Sequence, residues 1–274
     1  MATKIAIIGA GSYSFGMSVL KDLAAHAIQE SSPLKNAEVV LMDIDAVRLG
    51  YMVKIWEAMT DLYPDVPLKV TSSTDSKKAF KDISYAISAI HPGGRKAIVS
   101  DNEIPKKWGD KVGRPLMACK ADTLSAGGIM RGCRTIPALL KILDNMAEVA
   151  KKDALLMNYS NPMAMNTWAM YDYIERKNYD LHVVGLCHGV HETAILFRVW
   201  CGCMPSEFSY TCAGINHMSW YIDMRMKDYE TGKWKDAYPV LKHNLKEEPP
   251  TGDFHPETFR REVMDQFGYF CTED

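Results

Sequence analysis

Residues 4–16 constrain the fold more than any other stretch. Lys4-Ile-Ala-Ile-Ile8 is apolar and rich in β-branched side chains, and it breaks directly into Gly9-Ala10-Gly11-Ser12-Tyr13-Ser14-Phe15-Gly16. Val19, Leu20 and Leu23 then follow at helical spacing. A strand, a glycine turn and a helix in that order let the chain turn tightly and bring backbone N–H groups to a pyrophosphate at a helix N-terminus. Ser14 stands where the dinucleotide fingerprint has its third glycine, so the motif alone also fits a plain strand-to-helix turn.

A second apolar run, Glu38-Val-Val-Leu-Met-Asp43, ends in an acid. An acid at the end of the second strand of a βαβ unit accepts hydrogen bonds from an adenosine ribose and repels a 2′-phosphate, which favours NAD over NADP. The interval from Gly11 exceeds the usual one of about 20 residues, and the polar insertion Gln29 to Asn36 accounts for the excess. Asp43 also fits a helix cap ahead of Val47, Leu49, Met52 and Ile55, although Asp45 is better placed for that. Leu68 to Thr71 and Ser84 to Ile90 read as further strands, with a short helix around Lys78 between them. The later strand ends in the glycine turn His91-Pro-Gly93-Gly94, where the inner half of a cofactor would pass. Alternating strands and helices imply a mostly parallel, doubly wound, Rossmann-like α/β sheet.

Farther on, Gly127-Gly128 lies between Asp122 and Arg131 and suggests a tight loop aiming both charges into a cleft, or a surface loop in which they pair. Ile136, Leu139, Leu140, Leu143 and Met146 form the stripe of a core-facing helix. Ala154 to Met157 make another buried strand that leads into Asn158-Tyr-Ser-Asn161-Pro162. Pro162 excludes Asn161 from the α region, leaving its amide at a strand-to-helix corner to bind a ligand or cap the helix. His182 to Leu186 give the last strand of the sheet, with Cys187-His188 at its end. His217 and Asn216 lie in a second strand-like run, Tyr210 to Ile222. A thiolate and an imidazole are too few for a closed zinc site, but leave room for a divalent cation, manganese for instance, whose sphere is completed by substrate hydroxyls and water.

With 274 residues, 47% hydrophobic and 24% charged, the chain can bury a sizeable core. A net charge of −2 gives no general attraction to nucleic acid or an anionic membrane. Seven cysteines with no Cys-x-x-Cys pair argue against a disulfide framework and for a reducing cytoplasm. No apolar run approaches the roughly 18 residues of a spanning helix, and the N-terminus has no signal-peptide pattern.

Ile8-Gly-Ala-Gly-Ser12, Leu41-Met-Asp-Ile-Asp45, Asp122-Thr-Leu with Gly127-Gly-Ile-Met-Arg131, Asn161 to Met170, Val184-Gly-Leu-Cys-His188 and Ala213-Gly-Ile-Asn-His-Met218 together resemble glycoside hydrolase family four. The likeness runs through the whole chain and is strongest to the α-galactosidase (melibiase) branch. That NAD-dependent family departs from the two-carboxylate scheme by which most glycoside hydrolases work. The resemblance implies oxidation of a sugar's C3 hydroxyl by NAD, loss of the C2 proton, elimination at C1, addition of water and return of the hydride. A ketone and a divalent metal, manganese by expectation, stabilise the enolate on that route.

By motif, Gly9, Gly11, Ser12, Phe15 and Asp43 would hold NAD, and Cys187 and His217 the metal. Asn161, Arg131 and Asn216 would contact an α-glycoside substrate. His188 becomes the candidate proton donor to the leaving oxygen, and Asp122 a second catalytic candidate beside the sugar. The resemblance further implies an NAD-binding domain over 1–195 and the start of a lactate/malate-dehydrogenase-like α+β substrate and metal domain over 196–274. It also implies a homo-oligomer at full length and a proton-abstracting base beyond Asp274, so that the chain as it stands is an incomplete and inactive form. Gly189, where the α-galactosidase branch usually has serine, looks more like the α-glucuronidase branch and leaves open a uronic acid as the sugar. Ser125-Ala126 replaces a glycine-proline of that branch. Two other readings stay open, an NAD-dependent hydroxy-acid dehydrogenase and an NAD-binding fragment without turnover.

Overall fold

The computed structural model describes residues 3–13, 15–111, 125–247 and 257–272. The N-terminal apolar run forms β1 (Lys4–Ile8), and the glycine turn leads into α1 (Phe15–Ala27). The chain continues through β2 (Glu38–Met42), α2 (Ala46–Leu62), β3 (Lys69–Ser73), α3 (Ser76–Phe80) and β4 (Tyr85–Ser88). Two long helices, α4 (Gly94–Lys111) and α5 (Ala126–Val149), precede β5 (Ala154–Asn158), α6 (Met163–Lys177) and β6 (Leu181–Gly185). Asp45 caps α2, its carboxylate accepting from the N–H groups of Val47 and Arg48.

All six strands are parallel, in the order β3-β2-β1-β4-β5-β6. Side chains alternate across a strand, and here they sort into two cores. Ala6, Ile8, Val40 and Met42 join Phe80, Leu139, Leu143, Met146 and Met170 on one face. Ile7, Val39 and Leu41 join Leu20, Leu49, Met52 and Trp56 on the other. The sheet is therefore doubly wound, and strands buried on both faces read as continuous apolar runs. Strand order reverses between β1 and β4, the switch point at whose carboxyl ends ligands bind in such folds.

The glycine pair 127–128 does not form the expected loop. Both residues lie in the first turn of α5, behind the cap Ser125, whose Oγ accepts from the N–H of Gly128 at 3.2 Å. A Cβ on Gly127 would stand 2.8 Å from the carbonyl oxygen of Asp101, so the glycine permits close packing of α5 on α4. An Asp101–Arg134 ion pair ties the same two helices.

The chain divides into two compact units, Met1–Leu186 and Cys187–Asp274. The second comprises α7 (Gly189–Cys201), an antiparallel sheet of β7 (Phe208–Ile215), β8 (Met218–Lys227) and β9 (Trp234–Asp236), then α8 (Tyr238–Glu247) and α9 (Thr258–Phe267). Its core is aromatic: Phe197 meets Tyr221 and Phe270 edge-on, at centroid separations of 4.7 and 5.0 Å. Residues 270–272 pair with β8 through bonds between Tyr221 N and Phe270 O, at 2.9 Å, and between Thr272 N and Ser219 O, at 2.8 Å. Among the described residues no helix is long and apolar enough to cross a membrane, and the six described cysteines are free thiols.

One glycine governs how α1 meets the turn. A Cβ on Gly16 would lie 2.3 Å from the carbonyl oxygen of Ala10, and a backbone atom in that position cannot swing aside. Gly16→Ala should lower the unfolding free energy by about 2 kcal/mol, as overpacking does, in urea titration. An unchanged midpoint would show that α1 slides freely.

Candidate functional site

In the first unit the glycine turn is fixed by two backbone carbonyls and one carboxylate. Gly9 has φ +83°, and a Cβ there would stand 2.5 Å from the carbonyl oxygen of Ala89. The N–H groups of Gly9 and Ala10 both donate to the carbonyl oxygen of Met42, at 2.9 and 3.0 Å. The N–H of Gly11 donates to Asp43 Oδ2 at 2.9 Å, and Asp43 Oδ1 accepts from the N–H of Asp45 at 2.9 Å. Asp43 is thus a brace for the turn and does not cap α2. Ser12 Oγ accepts from the N–H of Phe15 at 3.2 Å at the start of α1, and the Phe15 ring packs 4.9 Å from Tyr159. Ser14 lies outside the described residues. The close packing that a third glycine would allow is provided by Gly16, a glycine in the first helical turn that the fingerprint spacing passes over.

Beside it, at the end of β5, Asn158 and Ser160 build a buried polar corner. Asn158 Oδ1 accepts from the N–H of Ser160 at 3.0 Å, and the Ser160 carbonyl accepts from Asn166 Nδ2 at 2.8 Å. The corner presents Asn161, partly exposed and joined to Pro162 by a cis peptide bond. No side chain caps α6, so Asn161 does not serve as its cap. Arg131 is partly buried on α5. Asp122 lies outside the described residues.

The second unit holds Cys187, His188, Asn216 and His217. The run Tyr210 to Ile222 is not one strand. It is a hairpin in which Ile215 pairs with Met218, and Asn216-His217 is its turn. His217 takes φ +60°, a left-handed conformation unusual for a non-glycine residue. That turn sets His217 Nε2 3.6 Å from Cys187 Sγ. The imidazole holds the Cys187 thiol below its ordinary pKa, helped by the N–H of Gly189 and the side chain of Asn216, against burial that pushes it up. His188 is exposed at the start of α7, its Nε2 3.5 Å from Glu192 Oε2.

The pair fits a cation. Sulfur and nitrogen at about 2.3 and 2.1 Å from one metal, subtending a tetrahedral angle, lie about 3.6 Å apart. A thiol favoured as thiolate is the protonation state that ligation needs. Among the described residues no group of three or more His, Cys, Asp and Glu side chains is arranged to hold a metal. The turn in the first unit fits a dinucleotide, with its tight glycine bend, a helix N-terminus and a carboxylate at the end of β2.

Residues 4–199 match the family described as Family 4 glycosyl hydrolase, and residues 212–274 match its C-terminal domain. The chain belongs to glycosyl hydrolase family 4. It is 34% identical to an alpha-galactosidase of Rhizobium meliloti over 98% of this chain and 50% of the relative. To an alpha-galactosidase of Bacillus subtilis it is 38% identical, over 98% of this chain and 57% of the relative. The chain therefore spans about half the length of the curated relatives it matches. A 6-phospho-alpha-glucosidase from gut microorganisms, in complex with NAD and Mn2+, has a similar fold with a TM-score of 0.80 and 21% identity, over 100% of this chain and 59% of that one. The fold likeness extends to a lactate dehydrogenase of Trichomonas vaginalis, with a TM-score of 0.58 and 14% identity over 98% of this chain and 71% of that one. This family 4 chain thus contains a Rossmann-like parallel sheet followed by a unit with an antiparallel sheet.

Backbone strain at the histidine is measurable. His217→Gly and His217→Ala both lose the imidazole, but only alanine keeps the steric cost of φ +60°. The glycine variant should be more stable by about 1 kcal/mol in urea unfolding. An alanine variant of equal or greater stability would show that the turn relaxes.

Proposed function

We propose that this chain supplies the cofactor-binding and cation-binding parts of an NAD-dependent α-glycosidase acting on α-galactosides. The observation that carries the reading is the Cys187–His217 pair, a sulfur ahead of α7 and a nitrogen on the hairpin turn 3.6 Å apart, in a chain of glycosyl hydrolase family 4. The names of two relatives, both alpha-galactosidases, favour galactose as the sugar. When bound, the nicotinamide supplies a hydride acceptor for the sugar's C3 and the cation a Lewis acid for its oxygens.

Cys187 as thiolate and His217 as neutral imidazole hold the cation and leave it a net positive charge. Asp43 accepts hydrogen bonds from the adenosine ribose, while Gly9, Gly11, Ser12 and Phe15 shape the turn beneath the dinucleotide. By family motif, Asn161, Arg131 and Asn216 are the residues assigned to the sugar's hydroxyls, and Asp122 is the second catalytic candidate. His188 donates a proton from a ring nitrogen to the leaving oxygen, with the Glu192 carboxylate 3.5 Å from its Nε2. Gly189 supports a second reading, in which the sugar is a uronic acid.

Mn2+ titration of the 274-residue chain followed by electron paramagnetic resonance should show one site. Cys187→Ala and His217→Ala should each weaken it by more than the roughly 10- to 100-fold that losing a group hydrogen-bonded to a ligand costs. Joined to the remaining C-terminal part of the Bacillus subtilis relative, the chain should cleave p-nitrophenyl α-galactoside only with NAD and Mn2+, exchanging the C2 proton with deuterated solvent. Preference for the α-galacturonide would choose the second reading. Cleavage that survives removal of NAD and metal, or steady NADH release from a hydroxy acid, would reject both.

A further inference from the structure

Ser160, 2% exposed, sits where the ends of β4 and β5 meet. Its Oγ accepts from the N–H of Ile90 at 2.9 Å and donates to the carbonyl oxygen of Ser88 at 3.4 Å. Its own backbone is held by Asn158 and Asn166, and the neighbouring Tyr159 N–H donates to the same Ser88 carbonyl at 2.8 Å. On the other side, the Ala89–Ile90 segment is the wall against which the glycine turn packs. Ala89 N–H donates to Ile8 O at 3.0 Å, and a Cβ on Gly9 would meet Ala89 O at 2.5 Å and Ile90 Cγ2 at 3.3 Å. A single hydroxyl thereby connects the segment that supports the glycine turn to the residue preceding Asn161.

We propose that Ser160 is a positioning residue for the nicotinamide half of the cofactor: through Ile90 its hydroxyl fixes the β4 end while its backbone fixes the β5 corner. This rests on the NAD-binding reading above. In a doubly wound sheet one mononucleotide half lies over the strands on the β2 side of the switch point and the other over the strands on the β4 side. Asp43 and Gly11 belong to the first, and the Ser160 strut to the second. Removing the hydroxyl leaves the Ile90 N–H without its acceptor and loosens the chain beyond Ala89, while Ala89 stays tied to β1 through Ile8 O and the Gly11–Asp43 brace is untouched. The effect therefore falls on NAD and spares a ligand that fills only the adenosine half.

Calorimetric titration of the wild-type chain, Ser160→Ala and the near-isosteric Ser160→Cys with NAD and separately with ADP tests this. Both variants should weaken NAD, Ser160→Ala by about tenfold, the order expected for a lost buried hydrogen bond, with ADP unchanged to within about twofold. In the ligand-free chain, hydrogen exchange over residues 88–92 should quicken in Ser160→Ala and stay unchanged over β2. A merely structural role would weaken NAD and ADP alike, and that result, or no weakening of either, overturns the assignment. If Ser160→Ala does not fold, the same ratio in Ser160→Cys decides. A wild-type chain that binds neither NAD nor ADP overturns the NAD-binding reading itself, and Ser160's role with it.

Discussion

At the end of β1 no side chain fits between the Gly9 backbone and the carbonyl oxygen of Ala89, and the rest of the first unit is arranged around that contact. It brings the carboxyl ends of β1 and β4 together at the point where strand order reverses. The same principle recurs one turn on, where Gly16 lets α1 seat against the Ala10 carbonyl. Asp43 then pins Gly11 from the β2 side. A site made of backbone N–H groups has no side chains to adjust its shape, so its precision comes from such packing.

Three strands of the parallel sheet, Lys4–Ile8, Glu38–Met42 and Ala154–Asn158, were legible almost to the residue because strands covered on both faces are largely apolar between their ends. The helix Gly94–Lys111 left no such trace. It carries Pro105, and Val99, Ile104 and Trp108 on it are exposed, so its apolar residues mark no buried stripe. Gly127-Gly128 read as a loop because glycine is poor in helices. The close approach of Asp101 that makes glycine necessary is a tertiary fact no local pattern carries. For the hairpin, the turn pair Asn216-His217 contains no glycine, so nothing in the sequence separates β7 from β8. Residue pattern raised Cys187 and His217 as a candidate pair and the family resemblance singled them out, while the turn that brings them together was not visible in the sequence.

Each candidate region has its own constraint, a buried polar network in the first unit and a left-handed residue in the second. Asn158, Ser160 and Asn166 are buried together at the β5 corner, each held by hydrogen bonds. Such a network is costly when partly satisfied and specifies one geometry when its bonds are made. In the second unit the left-handed His217 is held against its own steric preference by a hairpin whose other end packs into the aromatic cluster of Phe197, Tyr221 and Phe270. A strained residue persists where surrounding structure over-determines it. Here the hydrogen-bonded pairing on either side of the turn does so.

The Cys187–His217 pair proposed to hold a cation belongs wholly to the second unit and consists of one sulfur and one nitrogen. Two protein donors bind a divalent ion weakly compared with the three or four of a catalytic or structural zinc site. Among the described residues no third His, Cys, Asp or Glu joins them. Under the proposed function, sugar hydroxyls and water complete the sphere, so each bound sugar adds donors that the empty protein lacks. Linkage then makes the effect reciprocal: whatever factor the sugar adds to cation affinity, the cation adds to sugar affinity. A site with few protein ligands is in this sense selective for substrates whose hydroxyls can chelate.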